Sequence, residues 1–220
     1  MRGRIDLMIM LFRAGHDPNQ ILVKLALREA LLGCESVLDV GCGVSTTMRE
    51  LGISQTVGAE GYEPSFMGAK RQKTHDRLMQ CDIRELSKHF QPRQFDACVA
   101  LDVIEHLAKP DGMKLIADME KIAKKRVIFF TPSGFLPQRH ASNDDLQEHL
   151  SGWDAAEMEQ MGYRVTGLLG PKNLRGEYHA LKRKPTAFWG LVSLAGQCIW
   201  SKYHPARAAA IFCVKTLAGK

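Results

Sequence analysis

Between residues 36 and 170, short β-type runs alternate with segments patterned as helices. That alternation restricts the fold more than any other feature. The apolar runs are "SVLDV" (36–40), "QTVGAE" (55–60), "RLMQCD" (77–82), "FDACVALD" (95–102), "RVIFFTP" (126–132) and "YRVTGLLG" (163–170). The helical segments are "TTMREL", "PSFMGAKRQKTH", "PDGMKLIADMEKIAKK" and "SGWDAAEMEQMG", the last with Ser151 as cap and Gly162 as stop. "HDPNQILVKLALREALLG" precedes them all, with Asp17 as N-cap, Pro18 at the first helical position and Gly33 at the end. Strands alternating with helices imply an α/β chain with a doubly wound, mostly parallel sheet. In such sheets ligands sit at the carboxyl ends of the strands, near the switch point. "ARAAAIFCVK" near the end reads as a seventh strand or a helix.

A chain of 220 residues is long enough for a full core. Six cysteines form no C-x-x-C pair and mostly sit in apolar runs, which predicts reduced, buried thiols in a cytoplasmic protein. Their spacing supports no zinc site, and no metal is assigned. "MRGRIDLMIMLFRAG" is broken by Asp6 and lacks a small-residue cleavage site, so it reads as a short amphipathic helix. No window offers the 18 or so apolar residues of a membrane span. Charge is uneven. Residues 164–220 carry 10 Lys/Arg against one acid, Glu177, and all three tryptophans, Trp153, Trp189 and Trp200, lie late in the chain.

The loop after the first strand reads "GCGVST". A dinucleotide loop is written G-x-G-x-x-G, with the third glycine admitting a helix N-terminus to the pyrophosphate. Gly41 and Gly43 fit, but Thr46 stands third. Asp39, two residues before the first glycine, is poorly placed beside a pyrophosphate and well placed beside an ammonium group. S-adenosylmethionine carries an ammonium and a sulfonium and no phosphate, so the charges favour it over NAD. Glu60 ends the second strand 19 residues after Gly41, where an acid accepts from ribose hydroxyls. Asp82 follows the third strand, in reach of an adenine amino group.

With these features in place, the chain resembles the class I S-adenosylmethionine-dependent methyltransferases. "VLDVGCG", "VGAEGYEPSFMGAKR", "CDI" (81–83), "FDACVALDVIEHL" (95–107) and "VIFFTPSG" match that family's five motifs in order. "DVIEHL" and the later "EHLSGWDAAEMEQMGYRV" resemble the branch acting on small molecules, quinone precursors and glycans. The resemblance implies a Rossmann-like single domain with a seven-stranded sheet: residues 1–33 an N-terminal helical segment, 34–170 the cofactor-binding part, and 171–220 a basic, aromatic C-terminal extension. It implies that Gly41, Cys42 and Gly43 approach the methionine end of the cofactor and that Asp39 holds its ammonium. Glu60, followed by Gly61, would bind the ribose, with Tyr62 covering it. Asp82 and Ile83 would flank the adenine, and Leu101 and Asp102 would line the methyl-donor side.

Methyl transfer to a hydroxyl needs a base. His106 in "IEHL" and His149 in "QEHL" are the two candidates, His149 ahead of His106, while His140 in "PQRHASNDD" reads as solvated. The "NDD" at 143–145 reads as a turn or cap. The expected acceptor is a small molecule, a glycan or a lipid-linked compound, methylated on oxygen ahead of nitrogen or carbon. A non-catalytic cofactor-binding partner protein and an NAD(P)-dependent reductase are the alternatives. Residues 171–204 mix Lys172, Arg175, Lys182, Arg183 and Lys184 with Phe188, Trp189, Trp200 and Tyr203. Three readings stay open for them: a helical cover, a face for an anionic membrane surface, or an RNA contact that no recognition motif supports.

Overall fold

The computed structural model describes residues 18–137 and 148–218. The expected N-terminal helix, the Asp17 cap, His140 and the 143–145 turn lie outside the described residues. Helix α1 (Pro18–Ala30) leads into β1 (Ser36–Val40). The short α2 (Thr47–Glu50), β2 (Gln55–Glu60), α3 (Glu63–Gln72), β3 (Arg77–Gln80), the one-turn α4 (Leu86–His89) and β4 (Phe95–Leu101) follow. Then come α5 (Lys109–Ile122), β5 (Ala123–Pro132), α6 (Ala155–Gln160), β6 (Arg164–Pro171), α7 (Thr186–Gly196) and β7 (Ala208–Thr216).

The seven strands form one sheet in the order β3-β2-β1-β4-β5-β7-β6. The first five pair in parallel, whereas β7 is antiparallel to both β5 and β6. The ambiguous "ARAAAIFCVK" is therefore a strand, and a central one. It inserts between β5 and β6, where Ala208 to Cys213 are buried throughout. Chain direction of the winding reverses between β1 and β4, which creates the switch-point crevice at their carboxyl ends.

Residues alternate between two cores along each central strand, as period-two side chains must. Leu38, Val40, Cys98, Ala100, Val127 and Phe129 join the core beneath α5 and α6, built on Leu115, Met119 and Met158. Val37, Ala97, Val99, Ile128 and Phe130 join the opposite core, with Leu27 and Leu31 at the end of α1. Burial on both faces explains why the parallel strands read as continuous apolar runs.

Three local expectations shift. Strand β5 begins at Ala123, not Arg126, because Ala123 already pairs with Phe95. Strand β3 stops at Gln80. Asp82 instead starts a 3₁₀ turn, its carboxylate accepting the Arg84 N–H at 2.9 Å. The cap of α6 is Asp154, which accepts from the Glu157 N–H at 2.9 Å. Ser151 points inward, accepting from the Trp153 indole at 2.9 Å and donating to the Ile104 carbonyl. No helix among the described residues is long and apolar enough to cross a membrane.

Candidate active site

The β1–α2 turn is shaped by two glycines in the left-handed region, Gly41 at φ +64° and Gly43 at φ +52°. A Cβ on Gly41 would lie 2.7 Å from a Val103 methyl, so this position is closed to any side chain. A Cβ on Gly43 would meet nothing within 4 Å. The first glycine thus packs the loop against the segment after β4, and the second leaves bare backbone facing open space. The Gly43 N–H donates to Glu60 Oε2 at 2.8 Å, and the Tyr62 N–H donates to Glu60 Oε1 at 2.8 Å. Each carboxylate oxygen keeps a second lone pair after these bonds.

A cavity of about 830 Å³ opens at the carboxyl ends of β1, β4 and β5. Of the sequence candidates, Asp39, Gly41, Cys42, Leu101, Asp102, His106 and His149 line it. Glu60, Gly61, Tyr62, Asp82 and Ile83 lie outside that wall, at the ends of β2 and β3, together with Gly43. Gly43 follows Cys42 of the wall in the chain, and its bond to Glu60 ties the second group to the first. The ends of β2 and β3 approach closely there, a Cβ on Gly61 falling 3.1 Å from the Cys81 carbonyl oxygen.

Asp39 is buried, and its Oδ2 is 3.1 Å from His75 Nε2. His75 in turn has Nδ1 at 2.9 Å from the Thr74 hydroxyl. Burial raises the Asp39 carboxyl above its usual range, against the pull of His75. Asp82 is exposed and held by Arg84 through a bidentate pair at 2.6–3.0 Å, which lowers its pKa. Ile83 is half-buried and packs on the core. The Cys42 thiol is buried, and desolvation pushes its pKa far up, so no thiolate forms there.

On the β4 side, Asp102 adopts φ +53° and its carboxylate meets His179 Nε2 at 3.1 Å. Tyr178 and His179 are also left-handed, at φ +53° and +57°. With Leu169 at φ +65°, four non-glycine residues in this costly region line one cavity, the pattern of backbone held in place for a site. The His106 and His149 rings stand edge to face with centroids 4.8 Å apart. His106 Nδ1 faces the Glu148 carbonyl at 3.1 Å and His149 Nδ1 faces the Leu136 carbonyl at 2.7 Å. A carbonyl oxygen only accepts, so both Nδ1 atoms carry a proton, and the basic lone pair of each ring in its neutral form is on Nε2. Burial lowers the His149 pKa and keeps the ring neutral near pH 7.

Glu105 is buried beside them, its Oε2 accepting from the Thr131 hydroxyl at 2.9 Å. Burial, then the neighbouring Asp102, raises its carboxyl well above the usual range. Glu105, His106 and His149 each bring one potential metal-binding atom within 4.8 Å of the others, the only such group of three among the described residues. Sequence reasoning missed Glu105, His75 and His179. Glu105 lies inside the quoted "IEHL", but only its packing on Thr131 sets it apart. His75 and His179 come from loops with no motif around them. Arg175, read as part of a basic surface, is buried instead and donates to the Leu169 carbonyl at 2.6 Å and the His179 carbonyl at 2.5 Å.

Residues 38–131 match the family described as methyltransferase domain. No curated protein matches the chain in sequence. Among solved structures, the chain is similar to a SAM-dependent methyltransferase from Archaeoglobus fulgidus, at 15% identity and TM-score 0.54 over 95% of this chain and 99% of that one. It is similar to a structure of the Haloferax volcanii Trm112 methyltransferase activator in complex with a methyltransferase, at 16% identity and TM-score 0.56, with 88% of each chain covered. It is also similar to magnesium protoporphyrin IX methyltransferase from Synechocystis, solved with bound SAM, at 16% identity and TM-score 0.51 over 94% of this chain and 83% of that one. These likenesses show the fold, and the domain match supports methyltransferase activity over the reductase alternative. The chain carries a methyltransferase domain over residues 38–131, on the fold it shares with S-adenosylmethionine-dependent methyltransferases.

Proposed function

We propose that the protein moves the methyl group of S-adenosylmethionine to an oxygen of a small-molecule, glycan-type or lipid-linked acceptor. The observation that carries this reading is the pair of imidazoles, His106 and His149, packed edge to face on the cavity wall beside the end of β4. The cofactor supplies an already activated methyl, so the chain's task is alignment and removal of one proton. His149 takes the acceptor's hydroxyl proton on Nε2 while its Nδ1–H stays on the Leu136 carbonyl. His106 packs against it and holds its orientation.

The residues present fit the cofactor. Bare backbone at Gly43 admits its methionine end, and the spare lone pairs of Glu60 suit two ribose hydroxyls. Asp39, raised by burial, becomes a stable carboxylate when an ammonium group arrives beside it. Tyr62 and Ile83 flank the nucleoside side. Asp82 receives the adenine amino group only by yielding part of its contact with Arg84. Leu101 and Asp102 line the transferring methyl. The acceptor is met at an anionic membrane surface, a reading supported by the basic, aromatic segment after residue 171. Titration with S-adenosylhomocysteine, then turnover assays on hydroxylated glycans and lipid-linked glycans, tests the proposal. Methyl transfer to a nitrogen nucleophile alone overturns the oxygen assignment.

A further inference from the structure

Helix α7 and the π-turn that continues it, Gln197–Ser201, are built inside out. Residues 186–201 carry no charged side chain. Apart from Thr186 at the exposed start, their polar members face the protein. Ser193, Gln197 and Ser201, spaced four apart, are at most 4% exposed. Gln197 donates to the Gly167 carbonyl at 2.8 Å and accepts from the Gly170 N–H at 2.9 Å. The Ser193 hydroxyl donates to the Leu169 carbonyl at 2.9 Å. The apolar members face out. Phe188 is 56% exposed, Leu191 67% and Ile199 78%, with Ala195 and Cys198 between them and Tyr203 (68%) just beyond. A surface helix in water shows the opposite arrangement.

Basic residues bracket this face. Lys182, Arg183 and Lys184 are exposed before α7, and Lys202 and Arg207 are exposed after it. Arg183 lies over the Trp189 ring and Arg207 over the Trp200 ring, the amphipathic pairing suited to an interface. No acidic residue occurs after Glu177. Tyr178, Leu181 and Thr186, which line the cavity, adjoin the start of the same face.

We propose that the outward face of α7, from Phe188 to Tyr203, lies in the headgroup region of an anionic lipid bilayer, with Lys182–Lys184 and Lys202 on the lipid phosphates. An apolar stripe with cationic ends matches such a surface in both polarity and charge. A second copy of the chain fits less well, because antiparallel packing of two such helices sets Arg183 and Lys184 against the partner's Lys202. The cavity mouth then opens beside the bilayer, where a lipid-linked acceptor would present its headgroup. Only that last consequence rests on the acceptor reading above. The docking itself does not.

The full chain, labelled with an environment-sensitive fluorophore at Cys198, the one fully exposed cysteine, is mixed with vesicles of phosphatidylcholine with and without phosphatidylglycerol. The expected result is a blue shift and co-sedimentation with the anionic vesicles only, both reduced by salt. In the unlabelled chain, L191D/I199D should abolish sedimentation and R183E/K184E should weaken it about tenfold or more, with S-adenosylhomocysteine affinity unchanged in both. Wild-type chain that stays in the supernatant with anionic vesicles overturns the proposal. So does a dimer that L191D/I199D dissociates, since a second copy would then cover the face. Vesicle binding without S-adenosylhomocysteine binding would leave this inference standing and remove the cofactor assignment instead.

Discussion

Glu60 Oε2 accepts the Gly43 N–H at 2.8 Å, and this bond ties the end of β2 to the glycine loop after β1. Glu60, proposed to bind the ribose, therefore also fixes the backbone proposed to approach the methionine end. Replacing it should damage both halves of the cofactor site. Glu60→Ala is expected to weaken S-adenosylhomocysteine binding at least about tenfold, since charge-assisted hydrogen bonds are lost. Calorimetry on the variant checks this, and unchanged affinity would remove Glu60 from the site.

Gly41→Ala should destabilise the fold as well as the site. Its φ of +64° costs an alanine roughly 1–2 kcal/mol. The new methyl also collides with Val103, whose Cγ2 would be 2.7 Å away. Urea denaturation should show the loss, and V103A should recover part of it by removing the collision. Equal stability of Gly41→Ala and wild type would contradict the turn geometry.

His149→Ala should reduce kcat by about a hundredfold while S-adenosylhomocysteine affinity stays the same. The Nδ1 bond to the Leu136 carbonyl holds the ring, and in the proposed mechanism it leaves Nε2 to take the proton. Loss of cofactor affinity together with kcat would instead mark His149 as a residue that shapes the cavity. His106→Ala should produce a smaller fall, through disorder of the neighbouring ring.

Asp76 gives a pH signature of stability. Its carboxylate accepts the Thr56 hydroxyl at 2.8 Å and the Thr56 N–H at 2.7 Å. These bonds hold its pKa below the ordinary 3.8. A lowered folded pKa means the unfolded chain binds the proton first as pH falls, so the contribution is complete above about 3.8 and is lost as pH drops through the folded value. The stability gap between wild type and Asp76→Asn should be constant from pH 5 to pH 7, an interval well above the carboxylate range, and should close in stronger acid. A gap independent of pH down to the acid transition would count against the assignment.

The sheet was legible because central strands buried on both faces leave continuous apolar runs, as in "FDACVALD". The tight turn at Gly41 and Gly43 and the place of Glu60 at the end of β2 were legible because a glycine-rich turn and a strand-end acid leave fixed spacings. What escaped depended on distant partners. Ser151 has the residue type of a cap, yet Trp153 and Ile104 draw it inward. Arg175 belongs by composition to a basic surface, yet the Leu169 and His179 carbonyls hold it inside. The outward apolar face of α7 was hidden for the same reason, since period alone does not say which side of a helix meets the protein.

Calorimetric titration with S-adenosylhomocysteine, with NADH alongside, tests the central claim most directly. The account predicts micromolar binding of S-adenosylhomocysteine by the wild type, its loss in Glu60→Ala, and no binding of NADH. Binding of NADH alone, or S-adenosylhomocysteine affinity indifferent to Glu60, would contradict it.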